Sequence, residues 1–436
     1  MTRIPPIEQK SPEEIKRFQE ERLRSLLQYL QARSPFYQRH FEQHAIDIAS
    51  ITKLDELSRV PVTTKDDLQK FNLDFLCVDA AAIAEYTSTS GTLGKPVTIA
   101  LTENDLQRLA YNECISFACA EGKPGDRYQL MLTLDRQFMA GIAYYEGIRK
   151  LGASVVRVGP GLPAMQWETI ERIKPTAIVA VPSFIVKLIE FAEQKGIDIN
   201  ASSVKKAICI GESLRTPDLQ PNALAKRITS SWNIKLFGTY ASTEMQTAFT
   251  ECVHGNGGHL HPELLIVEVL DEKGKHVRPG EPGEVTITTL GVEAMPLLRY
   301  KTGDIAAYES DSCSCGRTTV RLGPVQGRHQ HMIKLKGTTL YPPGVFEIIH
   351  QVADVRDYVV EVFSNELGTD ELKLHLLSDD PAAAEKKILA LFQSGLRVLP
   401  SLHFATQQEI EQLQLSGQSR KVKKFIDNRI VVSLES

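Results

Sequence analysis

Short β-branched and apolar runs alternate with amphipathic stretches through the first half of the chain. The runs 153–158 and 176–181 each precede a segment of helical spacing, and the run 207–210 precedes a turn. Strand, turn and helix in that order are typical of a parallel or mixed sheet covered by helices. The sequence therefore predicts an α/β fold. Apolar residues at helical spacing from 11 to 41, with a cap and a proline at Ser11-Pro12, predict that the chain opens with helix.

The pattern of apolar and polar residues changes in the second half of the chain. The runs 264–270 and 284–290 alternate around glycine and proline, which predicts antiparallel strands. Strand-like residues 332–335 and 358–363 and a helix near 382–391 predict a small α+β module. At about 150 residues per domain, 436 residues suit two or three domains. We predict a large N-terminal domain of several sheets over 1–327 and a small C-terminal domain over 328–436 on a hinge.

Composition excludes several classes of function. Fifty Lys and Arg against 54 Asp and Glu give a formal net charge of −4, which lacks the basic excess of a nucleic-acid binder. No apolar run approaches the roughly 18 residues of a membrane span. Seven scattered cysteines do not resemble the dense framework of a small secreted domain. We expect reduced thiols, a cytoplasmic protein, and no nucleic-acid or membrane partner. The oligomeric state is open, with a homodimer as one alternative.

The segment 87–96 reads Thr-Ser-Thr-Ser-Gly-Thr-Leu-Gly-Lys-Pro. Glycines let backbone N–H groups approach a phosphate, and hydroxyls and a lysine donate hydrogen bonds to its oxygens. The spacing is not that of a Walker A loop, because Thr89 stands where the first glycine belongs and Pro96 follows Lys95. An ordinary surface turn is the alternative. The candidate phosphate-binding residues are Ser88, Thr89, Ser90, Gly91, Thr92, Gly94 and Lys95.

The order of motifs resembles that of the adenylate-forming superfamily of acyl-CoA synthetases, luciferases and adenylation domains. After the phosphate loop come Tyr-Ala-Ser-Thr-Glu at 240–244, Arg-Tyr-Lys-Thr-Gly-Asp at 299–304, and an inter-domain motif beginning at Gly327-Arg328. Gly-Thr-Thr-Leu-Tyr-Pro at 337–342 and Cys-Ser-Cys-Gly-Arg at 313–317 are most similar to the phenylacetate-coenzyme A ligase branch. The resemblance spans nearly the whole chain, although its specific parts are only these motifs.

The resemblance implies a role for each motif residue. Glu244 matches the glutamate associated with Mg²⁺, Thr243 a phosphate-binding hydroxyl, and Asp304 the carboxylate that binds the ribose hydroxyls. The strand-to-helix turn at Gly211-Glu212 resembles one beside the adenine, and Tyr240 would stack on the base. Arg328 of the inter-domain motif completes the expected nucleotide set. A surface carboxylate, a turn aspartate and a plain turn are the alternatives for Glu244, Asp304 and Gly211.

The basic stretch 419–429 resembles the C-terminal motif of the branch, and the alignment places the adenylation lysine at Lys421. A mobile ammonium can bridge the incoming carboxylate and the phosphate. Arg420 replaces the usual glycine, and other basic residues crowd the site, so a solvated basic face is the alternative. Gln330 stands where the family has its pivot residue. A backbone rotation there does not strictly need a carboxylate.

A metal site is the other hypothesis. Cys313 and Cys315, with Cys252 and His259, resemble the ligand pattern of zinc-bearing members of the branch. Three thiolates and one imidazole suit a closed tetrahedral site for structural zinc. His254 and His261 compete with His259 for the histidine position, and free cysteines with surface histidines are the alternative.

The expected activity is ATP-dependent ligation of an aromatic acid to coenzyme A through an acyl-adenylate, with Mg²⁺. The acid would be of the phenylacetate, benzoate or anthranilate type. Small residues and aromatics near a strand predicted over 128–134 suit a flat ring, although such aromatics are often simple core. The candidate acid-binding residues are Phe138, Gly141, Tyr144, Gly238 and Thr239. Two alternatives are transfer to a carrier-protein thiol or an amine, and a catalytically silent nucleotide-binding scaffold.

Overall fold

The computed structural model describes residues 4–89, 97–328, 331–335, 338–365, 369–396, 398–415 and 422–429. The chain divides into two compact units, Met1–Val325 and Gln326–Ser436. Both units mix helices and sheets, and the first contains several sheets. The predicted α/β class is therefore confirmed, with a large N-terminal and a small C-terminal part.

The described helices of the N-terminal unit are α1 (Pro12–Arg33), α2 (Pro35–Gln43), α3 (Lys65–Phe71), α4 (Glu103–Cys119), α5 (Met139–Leu151), α6 (Pro163–Ile173), α7 (Pro182–Lys195) and α8 (Ala223–Ser231). Its described strands are β1 (Ile83–Ser88), β2 (Thr98–Thr102), β3 (Arg127–Leu130), β4 (Ser154–Arg157), β5 (Ala177–Ala180), β6 (Lys206–Cys209), β7 (Lys235–Ser242), β8 (Thr247–Glu251), β9 (Gly258–His259), β10 (Leu265–Leu270), β11 (Gly283–Thr289), β12 (Tyr300–Ala306), β13 (Tyr308–Glu309) and β14 (Arg321–Leu322).

The helical start predicted over 11–41 is two helices rather than one. Ser11 and Glu14 form a capping box at the start of α1. Ser34 ends α1 and caps α2, where its hydroxyl accepts a hydrogen bond from the backbone N–H of Tyr37. Pro35 follows as the first residue of α2, because a proline lacks the N–H that would continue α1.

The largest sheet has nine strands in the order β13-β14-β9-β8-β7-β6-β5-β3-β4. β4, β3, β5, β6 and β7 are parallel, whereas β8 and β9 pair antiparallel. The predicted mixed sheet is thus confirmed, with β7 as the strand where the direction changes. The strand predicted over 128–134 ends at Leu130, earlier than expected.

Two smaller sheets complete the N-terminal unit. β10, β11 and β12 form an antiparallel arrangement, and this confirms the strands predicted near 264–270 and 284–290. β1 and β2 form an antiparallel hairpin. Side chains from α1, α2, this hairpin and β10–β12 share one buried hydrophobic cluster, which anchors the hairpin to β10–β12.

The C-terminal unit contains the described helices α9 (Pro342–His350), α10 (Pro381–Gly395) and α11 (Gln407–Leu415), and the strands β15 (Gly327–Arg328), β16 (Ile333–Leu335), β17 (Thr338–Leu340), β18 (Val355–Ser364), β19 (Asp370–Ser378), β20 (Ser401–Phe404) and β21 (Phe425–Asn428). Its main sheet has the order β20-β19-β18-β21. Gly327 must be glycine, because an added Cβ would lie 2.4 Å from the ring of Tyr341. Among the described residues, no helix combines the length and hydropathy needed to cross a membrane.

Candidate nucleotide site and metal cluster

Two distant sequence motifs meet at a hydrogen bond. Tyr240 lies on β7 and Asp304 on β12, and the phenol Oη of Tyr240 donates to Asp304 Oδ2 at 2.7 Å. Tyr240 is half-buried and packs against Phe249 of β8, with ring centroids 5.8 Å apart. The predicted ribose carboxylate and the predicted adenine-stacking ring are therefore neighbours in space.

Local turn geometry fixes the carboxylate of Asp304. Thr302 Oγ1 donates to the carbonyl of Val285 at 2.8 Å and accepts from the backbone N–H of Asp304 at 3.1 Å. Gly303 has φ +78°, a left-handed conformation that favours glycine. The Thr-Gly-Asp part of the motif thus presents the carboxylate from a rigid bend in the strand.

The arginine that opens this motif has a structural contact. Arg299 is buried, and its guanidinium donates two hydrogen bonds of 2.9 Å to the two oxygens of Glu268 on β10. A bidentate arginine–carboxylate pair is strong and directional, so Arg299 joins β10 to the segment that carries Asp304.

Thr243 and Glu244 occupy the turn between the antiparallel strands β7 and β8, and both are half-buried. Ser242 holds this turn, because its hydroxyl accepts from Met245 N at 3.2 Å and its carbonyl from Gln246 N at 3.2 Å. The turn follows the end of β7, so the predicted phosphate and Mg²⁺ ligands lie a few residues along the chain from Tyr240.

The predicted phosphate loop joins β1 to β2. Thr89 N donates to the carbonyl of Val97 at 2.9 Å, and Val97 N donates to Thr89 Oγ1 at 3.1 Å. Ser88 N donates to the carbonyl of Gln137 at 3.2 Å. The two bonds between Thr89 and Val97 join the ends of the hairpin, and the bond from Ser88 ties β1 to the segment before α5. The predicted residues Ser90, Gly91, Thr92, Gly94 and Lys95 lie outside the described residues.

The carboxylate of Glu212, in the predicted adenine turn, accepts hydrogen bonds from the start of a helix. Gly211 has φ +76°, as a tight turn after β6 requires. Both oxygens of Glu212 accept hydrogen bonds of 2.8 Å from Ser183, one from its backbone N–H and one from its hydroxyl. Ser183 lies in the first turn of α7, where a carboxylate stabilises the positive end of the helix. The side chain of Glu212 therefore stabilises the start of α7. An adenine base at this turn would contact its backbone instead.

The predicted acid-binding residues divide between two places. Tyr144 is buried in a hydrophobic cluster with an edge-on contact to Phe117, and Phe138 packs on the same cluster. Gly141 is required for backbone packing, since an added Cβ would lie 2.5 Å from the carbonyl of Thr133. The second pair, Gly238 and Thr239, lies on β7. Gly238 N donates to Glu251 at 3.1 Å, and the hydroxyls of Thr239 and Thr250 lie 2.9 Å apart.

The four predicted metal donors converge. One ligand atom from each of Cys252, His259, Cys313 and Cys315 lies within 4.8 Å of all the others. The Sγ atoms of Cys252 and Cys313 are 3.6 Å apart, and Cys315 Sγ is 3.4 Å from His259 Nε2. A zinc ion bound tetrahedrally at about 2.3 Å from sulfur and about 2.0 Å from nitrogen separates its ligands by roughly 3.5–3.8 Å. The donor set and its spacing therefore fit zinc.

Electrostatics distinguish the thiols. Burial raises the pKa of the Cys252 thiol to about 12. Burial also acts to raise the pKa of Cys315, but hydrogen bonds from His259 and Arg317 outweigh it and lower that pKa to about 5. The partly exposed Cys315 thus favours the thiolate form that binds metal.

The histidine choice is also resolved. His259 Nδ1 lies 3.3 Å from the hydroxyl of Thr319, which orients the ring with Nε2 towards the cysteines. His254 is exposed. His261 is buried and lies between Ser116 and Glu8, at 3.1 Å and 2.5 Å from them. His259 is therefore the histidine of the cluster.

A family model described as AMP-binding enzyme matches residues 16–294. Phenylacetate-coenzyme A ligase of Thermus thermophilus is 31% identical, over 86% of this chain and 84% of that protein. The chain belongs to the AMP-binding enzyme family. Phenylacetate-coenzyme A ligase of Escherichia coli is 28% identical over 80% of this chain and 79% of its own length.

A solved structure shares the fold of this AMP-binding enzyme. A 2-hydroxyisobutyryl-CoA ligase in its postadenylation state, in complex with an acyl-AMP, has a TM-score of 0.84 at 22% identity. The match covers 97% of this chain and 92% of that chain. At this identity the likeness concerns the fold, which is that of a two-domain adenylate-forming ligase.

The C-terminal motif of the AMP-binding enzyme is described only in part. Lys421 and Gln330 lie outside the described residues, and Arg328 is exposed on β15. Lys424 forms an ion pair with the buried Asp357, and its ammonium lies 4.7 Å from the ring centre of Tyr358. Lys424 is therefore committed to the core of its own unit, which removes it from the competing register choices for a mobile lysine.

Sequence reasoning missed the polar groups around the metal cluster. Arg317 closes the Cys-Ser-Cys-Gly-Arg motif, yet its partner Glu8 lies near the start of the chain, with 309 positions between them. For Arg317 the available signal was a charged residue two positions after Cys315. Nothing local marks Glu8.

Proposed function

We propose that this AMP-binding enzyme is an ATP-dependent aryl-coenzyme A ligase. It joins an aromatic acid to the α-phosphate of ATP, releases pyrophosphate, and then transfers the acyl group to the thiol of coenzyme A with release of AMP. The 2.7 Å hydrogen bond between Tyr240 and Asp304 carries the proposal, because it unites two motifs that the family uses for one nucleotide. The 31% identity to a phenylacetate-coenzyme A ligase supports the acid and thiol classes.

Each residue has a role in this proposal. Asp304 accepts hydrogen bonds from the two ribose hydroxyls, since a carboxylate offers paired acceptor oxygens. Tyr240 keeps that carboxylate oriented and offers its ring to the base. Thr243 and the hydroxyls of 88–92 donate to phosphate oxygens. Glu244 would hold Mg²⁺, a cation that prefers oxygen ligands and offsets phosphate charge.

The first step forms a bond between a carboxylate oxygen and the α-phosphorus and breaks the bond to pyrophosphate. Two anions must approach each other, so the barrier falls when a cation lies between them. We propose Lys421 for this cation. In the second step the thiol sulfur attacks the acyl carbon, the thiol loses its proton, and AMP leaves with the bonding electron pair.

The acid would be of the phenylacetate, benzoate or anthranilate type. The candidates Gly238 and Thr239 lie on β7 immediately before Tyr240, which favours them as the wall nearest the nucleotide. Phe138, Gly141 and Tyr144 remain candidates for the far end, with the packing of Tyr144 in the core as the competing explanation.

We also propose a structural zinc held by Cys252, His259, Cys313 and Cys315. Zinc would crosslink the residue after β8, the last residue of β9 and the loop before β14. Four protein donors leave no open position for water, so this metal would stabilise the fold and take no part in the ligation.

The proposal also includes a cytoplasmic location and leaves a homodimer as a prediction. All seven cysteines lie within the described residues and none forms a disulfide, which supports a cytoplasmic location. A homodimer stays a prediction that sedimentation analysis would test.

Pyrophosphate exchange into ATP tests the first step. We expect exchange that depends on an aromatic acid and on Mg²⁺ across a panel of phenylacetate, benzoate and anthranilate. No exchange with any acid, together with retained ATP binding, would support the silent scaffold. Release of AMP that free coenzyme A accelerates supports the ligase. Indifference to coenzyme A would favour a carrier-protein thiol or an amine as the acceptor.

A further inference from the structure

The N-terminal strap, residues 4–10, packs against the metal loop, residues 313–319. Glu8 is fully buried in the strap, and its two carboxylate oxygens have separate partners. Oε2 accepts from Arg317 Nε at 2.6 Å, and Oε1 lies 2.5 Å from His261 Nδ1. A buried carboxylate is costly unless it is paired and hydrogen-bonded, so Glu8 is held by these two contacts.

Arg317 connects Glu8 to the metal cluster. Its side chain is buried, and Nη1 donates to Cys315 Sγ at 3.5 Å, while Nε donates to Glu8. Three thiolates around a divalent cation leave about one net negative charge, which an adjacent guanidinium offsets. Glu8 fixes the orientation of that guanidinium, because a bond at Nε leaves Nη1 directed at sulfur.

The backbone of the metal loop is paired with the same strap. Thr318 N donates to the carbonyl of Glu8 at 2.8 Å, and Thr318 Oγ1 donates to the carbonyl of Lys10 at 2.5 Å. Within the loop, Gly316 N donates to the carbonyl of Cys313 at 2.9 Å, with Gly316 at φ +93°. The turn that spaces the two cysteines is therefore supported from outside by the strap.

We propose that the N-terminal strap contributes to metal binding by the cluster of Cys252, His259, Cys313 and Cys315. Glu8 is a positioning residue that acts through Arg317 on Cys315, so metal binding and docking of residues 4–10 strengthen each other. Coupling of this kind is reciprocal, because a strap that raises metal affinity must itself be held more tightly when metal is bound. The inference rests on the proposed zinc site and extends it to Glu8, 309 positions from Arg317 in sequence.

Zinc affinity tests one direction of the coupling. The full-length protein competes with a chromogenic chelator for zinc, as wild type and as Glu8→Gln. Loss of an outer partner of a metal ligand lowers affinity by about 10–100-fold, and we expect a drop of that order. Glu42→Gln is the control, since Glu42 is exposed on α2, outside the strap and the metal loop. Equal zinc affinity in wild type and Glu8→Gln would overturn the inference.

Hydrogen exchange of the wild type tests the other direction and does not depend on a variant that folds. We expect the backbone amides of residues 7–10 to exchange at least several-fold faster after zinc is removed by chelation, with α9 of the other unit as the internal reference; Pro5 and Pro6 carry no N–H. Unchanged exchange in the strap of a protein that does bind zinc would overturn the coupling alone. A wild type that takes up no zinc would instead overturn the metal assignment itself, and the coupling with it.

Discussion

The metal cluster and the nucleotide residues lie in the same N-terminal unit and are held in different ways. Cys252, His259 and Cys313 are buried, and a buried pair, Glu8 and Arg317, surrounds them. Tyr240, Thr243 and Glu244 are half-buried on a strand end and a turn. A closed set of donors suits a permanent ion, whereas a partly open turn suits substrates that enter and leave.

One strand links the two regions. β8 follows the turn that carries Thr243 and Glu244, and its last residue precedes Cys252. Five residues of strand span about 17 Å. The proposed zinc would thus hold the far end of the strand whose near end shapes the proposed catalytic turn.

The largest effect is expected for Lys421, the proposed adenylation lysine. Lys421→Ala should lower pyrophosphate exchange by about 100–1,000-fold, the loss seen when one electrostatic group is removed from a transition state. Thioester formation from supplied acyl-adenylate and coenzyme A should fall far less, since no phosphate is attacked in that step.

Lys423→Ala is the matched control for this change, because Lys423 is half-buried in the same basic stretch. Its exchange rate should stay within about twofold of wild type, as for surface substitutions away from a site. A large loss for Lys423→Ala with none for Lys421→Ala would show that the alignment of this stretch is shifted.

In the closed region, Cys313→Ser should act on stability rather than on chemistry. A ligand at about 1,000 times its dissociation constant stabilises the folded state by about 4 kcal/mol. We expect the variant to lose about that much unfolding free energy in urea titrations with excess zinc, while exchange activity at low temperature is retained. Cys77→Ser, at a buried cysteine away from the cluster, is the control, and its stability should not depend on zinc.

Within the open region, two changes separate the parts of the Tyr240–Asp304 pair. Asp304→Ala removes a charged acceptor, and bonds to charged groups are worth about 1.5–3 kcal/mol, so KM for ATP should rise about 10–100-fold. Tyr240→Phe keeps the ring and loses only the hydroxyl, so we expect about a fivefold rise. Steady-state kinetics at saturating acid measure both. Equal KM values in Asp304→Ala and wild type would contradict the ribose assignment.

A pH-dependent effect is expected in α4, whose residues Ser116 and Cys119 adjoin the closed region. Burial raises the pKa of Glu113 on this helix to about 8, outweighing a hydrogen bond from Asn112. The folded state therefore binds a proton that the unfolded chain releases near its ordinary pKa. Stability from this group is present below about pH 4.5 and is lost as pH rises to about 8.

Urea titrations across that pH window should show a shallower decline for Glu113→Gln than for wild type, because glutamine cannot ionise. Glu103→Gln, at the exposed start of the same helix, should keep the wild-type slope. An identical slope in Glu113→Gln and wild type would show that water reaches this carboxyl, so that its pKa is not raised by burial.

Much of the architecture was predictable because strands and helices depend on the spacing of apolar residues within short segments. The alternation of strands and helices, the antiparallel strands near 264–290 and the α+β end of the chain all appear where expected. The break between α1 and α2 was missed, since apolar spacing continued across Ser34-Pro35 and only the proline marked it. The phosphate loop and Lys421 stay predictions.

The sequence by itself determined the order of the motifs, the donor types of the metal cluster and the strand that carries each. Only the tertiary structure decided which groups meet. Tyr240 and Asp304 are 64 positions apart, and Glu8 and Arg317 are 309 apart. Spacing along a chain specifies local hydrogen bonds, but contacts between distant segments depend on how sheets and helices pack. Because of that packing, Glu212 binds the start of α7 and Lys424 pairs with a buried aspartate. For the same reason His259, rather than its neighbours, lies beside the cysteines.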